Sequence, residues 1–230
     1  LPSTKDDCGS LTNFPNGEIS LAAGARPLAK ELLKVSLTGV GHEVQNLLDK
    51  GADPNTKFED FQFSGNRFLA GTPLSIAVLR DNEEVVSTLL RNRADVDSEY
   101  SFIAGKTKVE LTLPASHAAI KSASLDMLKL LFKFEADVNS KTNLGGNLLW
   151  QASYNGHAVV ADLLLRSRAN LEEPAQSQDD LTQWYTPLHA AALYGRKGVV
   201  NKLLDWQADV FGQNDLGNPP IVDAICKGHG

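Results

Sequence analysis

The chain has 230 residues, of which 22 are Lys or Arg and 28 are Asp or Glu, for a formal net charge of −6. Basic residues this scattered argue against a nucleic-acid backbone as partner, since that affinity rests on clustered Lys and Arg. Apolar residues make up 42% and charged residues 22%, the balance of a folded globular chain, and no apolar run nears the roughly 20 residues that membrane insertion needs.

From the N-terminus, Leu1 to Ser10 is polar and acidic where an export signal would be basic and then apolar. Cys8 and Cys226 stand near opposite ends, too far apart in an elongated chain for a disulfide, which favours a reducing, intracellular and cytoplasmic setting. The chain does not open with Met and reads as part of a longer polypeptide, with residues 1–29 an N-terminal extension or cap and 30–230 one repeat domain.

Lys30 opens "KELLKVSLTG", and Gly51 follows in "GADPN". Next, "FEDFQFSGNRFLAG" alternates Phe61, Phe63 and Phe68 about a Gly-containing turn and predicts a β-hairpin. Thr72 opens "TPLSIAVLRD" and leads to Arg93 of "RADVD"; then "EYSFIAGKTKVELTL", with Tyr100, Phe102, Val109, Leu111 and Leu113, predicts a second hairpin. Pro114 opens "PASHAAIKSA" and leads to Glu135 of "EADVN", while Asn147 opens "NLLWQASYNGH" and leads to Arg168 of "RANLE". The polar, Pro-containing "EPAQSQDDLTQW" predicts a mobile loop. Thr186 opens "TPLHAAALYG", which leads to Gln207 of "QADV", and Pro219 opens "PPIVDAICKGHG".

Five of these openings stand 21 residues ahead of the matching exit position. Openings at 30, 72, 114, 147, 186 and 219 are spaced by 42, 42, 33, 39 and 33 residues, and all the extra length falls between an exit and the next opening. Insertions there interrupt no packed helix. A TPLH-type opening, a Gly-containing turn, a second helix ending in Leu-Leu and a Gly-Ala-Asp-type exit together resemble the ankyrin repeat. The resemblance runs from Lys30 to Gly230 in five copies and a half. It implies an all-α fold, a solenoid of helix-turn-helix units with β-hairpin connections, that binds a partner protein or peptide; the alternative is a regulatory or substrate-recruiting domain of a larger enzyme whose catalytic part lies outside this chain.

Within each unit, small apolar residues such as Leu74 and Ala77, or Leu188, Ala191 and Ala192, are expected on one face of the first helix. The second helices are expected to bury Met127, Leu128, Leu130 and Leu131; Val159, Val160, Leu163 and Leu164; and Val199, Val200, Leu203 and Leu204. Thr72 and Thr186 supply a capping hydroxyl ahead of a proline. In the family the exit position takes a positive φ, yet only Gly51 keeps glycine there, and a side chain in that conformation costs roughly 1 kcal/mol.

His117 and His189 occupy the TPLH histidine slot, and His157 and His229 the Gly-His turn slot, which leaves only His42 out of register. Structural roles for them outweigh metal ligation, because no clustered ligand partners accompany them. No paired CxxC, HExxH, phosphate-cradling loop or nucleophile elbow occurs, so no catalytic residue, metal or cofactor is expected. Trp150 takes the histidine slot of the fourth repeat and reads as packing rather than as ligand contact.

The resemblance implies a concave binding face made of hairpin tips and the positions seven and eight residues after each opening. Here those include Leu79 and Arg80, Lys121, Tyr154 and Asn155, and Leu193 and Tyr194, with Trp184 and Tyr185 beside them. Tyr and Trp dominate interface energies, so partner contact is expected for these residues, exposed on one surface. The competing account is local packing onto the long polar connection. The two long hairpins likewise admit two readings, packing on each other or direct contact with a partner.

Overall fold

In a computed structural model the described residues are 27–63, 66–103, 109–177 and 180–229; within the strands, the side chains of 60–63, 66–67, 177 and 180 lie outside the description. Cys8 and most of the expected N-terminal extension are therefore outside it, as are the side chains of Phe61 and Phe63. In chain order the elements are α1 (Pro27–Thr38), α2 (Gly41–Asp49), β1 (Phe58–Phe63), β2 (Asn66–Gly71), α3 (Pro73–Leu79), α4 (Glu83–Arg91), β3 (Glu99–Ile103), β4 (Glu110–Pro114), α5 (Ala115–Ser122) and α6 (Leu125–Lys133). They continue as α7 (Leu148–Asn155), α8 (Ala158–Arg166), β5 (Ala175–Ser177), β6 (Asp180–Tyr185), α9 (Pro187–Leu193), α10 (Lys197–Asp205) and α11 (Pro220–Cys226).

Helices alternate between two layers. The first helices α1, α3, α5, α7, α9 and α11 pack each on the next, and of the second helices α2 packs on α4, α4 on α6, and α8 on α10. Neither stripe can be buried within one helix pair, so stacking buries them, as in any solenoid. From the second repeat on, each first helix starts one residue after its expected opening. Only α1 starts early, at Pro27, where proline suits the first turn of a helix.

The openings are capped as the sequence leads one to expect. Thr72 Oγ1 accepts the Ser75 N–H at 3.2 Å, and Ser75 Oγ accepts the Thr72 N–H at 2.9 Å, a reciprocal capping box. Asn147 Oδ1 accepts the Trp150 N–H at 2.7 Å. At the exits the chain takes positive φ at Gly51 (90°), Arg93 (65°), Glu135 (68°), Arg168 (67°) and Gln207 (64°), so four side chains hold a conformation that favours glycine.

The second-helix stripe is corrected in two places. Val159 is 66% exposed and Leu204 42% exposed, whereas Val160, Ala161, Leu164 and Leu165 are buried on α8. The buried set in α4 is Val85, Val86, Leu89 and Leu90, the same offsets from the opening, so the stripe of the fourth repeat sits one residue later than expected. Leu204 occupies the offset of Leu90 and Leu165, which face a following repeat, and among the described residues no second helix follows α11.

The first two insertions form one sheet of order β1-β2-β3-β4. Strand β2 pairs antiparallel with β3 through Phe68↔Phe102 and Ala70↔Ser101, so the hairpins pack on each other edge to edge. Phe68 and Tyr100 are buried and Phe102 is half-buried, with centroids 6.1 to 6.4 Å apart. The open edge of β4 is closed by Asn143, whose Oδ1 accepts the Thr112 N–H and whose N–H donates to the Thr112 carbonyl, both at 3.1 Å.

The third insertion departs from the mobile loop expected: β5 and β6 form an antiparallel hairpin with Ala175↔Tyr185 and Gln176↔Trp184 paired. The run Leu181-Thr182-Gln183-Trp184-Tyr185 ends in residues of high strand propensity. Backbone bonds supply the rest, since the Gln176 N–H reaches the Leu144 carbonyl at 3.1 Å.

A second ladder runs along the exits. The backbone N–H groups of Asp95, Asp137, Asn170 and Asp209 donate to side-chain oxygens of Asn55 (2.7 Å), Asp97 (3.1 Å), Asn139 (2.7 Å) and Glu172 (2.9 Å) of the preceding repeat. One polar side chain per repeat, Asn, Asp, Asn and Glu in turn, thus ties each exit to the next, and Phe211 stands at that offset in the fifth repeat.

Candidate interaction face

The last turn of α7 and the C-cap of α9 bring Tyr154 and Tyr194 together in an edge-to-face contact, with ring centroids 4.6 Å apart and planes at 64°. Beneath them Trp150 stacks on Tyr154 at 5.5 Å and 16°. Trp150 is buried, and its Nε1–H donates to the Tyr185 carbonyl at 2.7 Å. Indole therefore fills the slot that histidine holds in the neighbouring repeats, with its one polar atom satisfied. Both tyrosines are half-buried.

Of the residues expected on this surface, Tyr185 is corrected. Its side chain is 7% exposed, held inward by the β5–β6 pairing. Trp184 on the opposite face of the strand is 39% exposed, and its ring closes on Gly145, where a Cβ would lie 2.9 Å from Cζ3. Leu193 and Asn155 are half-buried beside the tyrosine pair in sequence, and Leu79 and Arg80 are half-buried at the end of α3. Lys121, in the last turn of α5, is exposed.

Arg196 belongs to the same surface although the aromatic pattern did not single it out. Its Nε donates to the Tyr154 carbonyl at 3.0 Å, joining the turn after α9 to the end of α7, where the C-terminal carbonyls attract a cation. Burial, with the nearby Arg196 charge second, lowers the pKa of His157. The signal available in sequence was a basic pair, Arg196-Lys197, directly after the Gly195 turn.

The buried histidines serve the fold. His189 Nε2 lies 3.0 Å from the Asn218 carbonyl and Nδ1 2.7 Å from Thr186 Oγ1. His117 Nε2 lies 3.1 Å from the Ser140 carbonyl and Nδ1 2.6 Å from the Gln151 side-chain amide. The Ser140 carbonyl accepts only, so Nε2 carries a proton. Burial pushes the His117 pKa down to about 4, in keeping with a neutral ring. A groove of about 430 Å3 between α2 and α4, lined by His42, Gln45, Glu84 and Arg91 among others, lies on the second-helix layer away from the aromatic cluster. Among the described residues no helix is long and apolar enough to cross a membrane.

Comparison with known proteins agrees with this architecture. The chain is similar to human SH3 and multiple ankyrin repeat domains protein 2, 29% identical over 78% of this chain and 8% of that protein. It is also similar to human ankyrin repeat and SOCS box protein 16, 27% identical over 69% of this chain and 32% of that protein. A third relative, the Arabidopsis thaliana serine/threonine-protein kinase VIK, is 38% identical over 37% of this chain and 17% of the kinase. The matched stretch thus spans from under a tenth to about a third of these relatives. Family models match residues 116–214 as three copies of ankyrin repeats and residues 71–99 as a further ankyrin repeat, together more than half of the sequence, and the chain belongs to the ankyrin-repeat family.

Proposed function

We propose that this chain is a protein-binding module that takes a partner protein or peptide on the surface formed by the ends of the first helices and the adjoining hairpin tips, centred on the fourth and fifth repeats. Ankyrin repeats are in general protein–protein interaction modules. The observation that carries the location is the Tyr154–Tyr194 pair. Tyr154 is packed between Trp150 and Tyr194, so less side-chain entropy remains for it to lose on binding than for an isolated exposed ring. Residues 30–230 act in this reading as one repeat domain, without a catalytic residue, metal or cofactor of their own, in an intracellular, cytoplasmic setting, and the charge of −6 speaks against nucleic acid as partner.

The test is capture of binding proteins on the immobilised chain with identification by mass spectrometry, then calorimetric titration of the purified partner. Tyr194→Ala should weaken binding by about 1 to 4 kcal/mol, as for central aromatic anchors, with a much smaller change in melting temperature. Unaltered affinity for both Tyr154→Ala and Tyr194→Ala would move the site elsewhere. A second reading, a recruiting or regulatory domain of a larger enzyme, is favoured by the likeness to a serine/threonine-protein kinase. It predicts that the captured protein, or the remainder of the polypeptide, has catalytic activity that the chain modulates.

A further inference from the structure

Charge is distributed unevenly over the turns that follow the first helices. In repeats three to six the spans 121–125, 154–158, 193–197 and 226–230 contain Lys121, Arg196, Lys197 and Lys227 with two histidines, and no Asp or Glu, within a chain of net charge −6. The second repeat differs, with Arg80, Asp81 and Glu83 in the corresponding span. Lys121, Lys197 and Lys227 are exposed, and Arg196 is turned to a backbone carbonyl. The carboxylates near these spans are otherwise engaged. Asp126 pairs with Lys129 at 3.1 Å, Asp162 lies between Arg166 at 2.8 Å and Lys202 at 3.5 Å, and Asp223 is buried with Asn214 Nδ2 3.4 Å from its carboxylate.

The basic residues bracket the aromatic pair along the stack, with Lys121 one repeat before Tyr154 and Lys227 one repeat after Tyr194. Three helix-to-helix steps of about 8–10 Å separate the third repeat from the sixth, so the bracket spans about 24–30 Å. An extended peptide rising about 3.3 Å per residue covers that length with about eight residues. We infer that the surface takes an acidic peptide segment in extended form, with an apolar residue over Tyr154 and Tyr194 and carboxylates on either side facing Lys121 and the Lys197–Lys227 group. This inference rests on the proposed binding face and adds the chemistry of its partner. Three exposed lysines around two rings complement a few carboxylates; a nucleic-acid backbone presents a denser row of charge than they can match.

The experiment pans a phage-displayed library of random nine-residue peptides on the folded chain. Enriched sequences are then made as fluorescein-labelled peptides and titrated by anisotropy. Enriched peptides should hold two or more Asp or Glu flanking an apolar residue, and raising the salt should weaken them. The double variant Lys121→Glu/Lys227→Glu should lose about tenfold or more in affinity, while the remote Lys50→Glu should lose nothing. Neutral or basic winners, no enrichment at all, or indifference to the double charge reversal overturns the inference. Loss of binding on Tyr194→Ala with indifference to charge reversal leaves the face and removes the acidic partner; indifference to both removes the face itself. A single-stranded eight-nucleotide oligomer binding as tightly as the best peptide would also overturn it.

Discussion

His117 shows how a single side chain in this fold ties two repeats together and makes stability depend on pH. Its ring spans from α5 to the exit carbonyl of Ser140 and to Gln151 of the next first helix. Because burial lowers its pKa from 6.5 to about 4, the unfolded chain binds a proton in that window while the folded chain does not. Stability from this group is therefore complete above pH 6.5 and falls as the pH drops toward 4, by up to about 3 kcal/mol. NMR of the ring protons should find His117 neutral at pH 5, and His117→Asn should flatten the fall in melting temperature across the window. A charged ring at pH 5 would refute the assignment. The exits offer the opposite case, a residue that costs stability. Glu135 is exposed with φ of 68°, so Glu135→Gly relieves a strained conformation without removing a buried contact. The variant should be more stable by about 0.5–1 kcal/mol in urea denaturation; an equal or lower midpoint would mean that the strain is already relieved.

At the scale of elements, the helices were legible because 21-residue spacing and capping residues recur, and both are local in sequence. The positive φ at the non-glycine exits was legible for the same reason: chain position in the repeat, not residue type, sets it. What sequence did not reveal depends on neighbours. Val159 and Val160 are alike in chemistry, and what separates them is their offset from the repeat opening, which puts the second against the stack and leaves the first outside it. Tyr185 looks like an interface tyrosine until β5 pairs with β6 and turns it inward, and Arg196 enters the site through a bond to the Tyr154 carbonyl, which no pattern of side chains displays. The long hairpins are the largest case. Loop insertions ordinarily add little to a core, but Phe58 and Phe68 are 3% and 4% exposed and belong to the main apolar cluster. Phe68→Ala should therefore cost about 3–5 kcal/mol, the range for a phenylalanine removed from a core. Leu203→Ala on α10 should cost about 2–5 kcal/mol, and Leu204→Ala on the same helix far less, since only Leu203 is buried. Equal losses at Leu203 and Leu204 would mean that the stripe has been assigned to the wrong register.

For the whole molecule, the two helix layers and the exit ladder mean that, among the described residues, each repeat is held chiefly by its neighbours. Stability is then a sum of local terms and nearest-neighbour interfaces, and cooperativity along the chain is only as strong as its weakest interface. The sequence carries a built-in reporter of this, because its three tryptophans, Trp150, Trp184 and Trp206, all fall in the fourth and fifth repeats. Their fluorescence follows the C-terminal half, whereas far-ultraviolet circular dichroism follows helices of the entire stack. Leu131 is fully buried on α6 of the third repeat, midway between the two halves. Leu131→Ala removes about 2–5 kcal/mol from that junction while leaving every tryptophan environment in place. In urea the two signals of the parent chain should coincide if its interfaces are strong enough for two-state behaviour. In the variant the circular-dichroism transition should broaden and begin at lower urea than the fluorescence transition, as the stack parts at the third repeat. Superposed transitions in the variant would show that the four-stranded hairpin sheet, which joins the second and third repeats by backbone bonds, makes the chain one cooperative unit despite its linear arrangement.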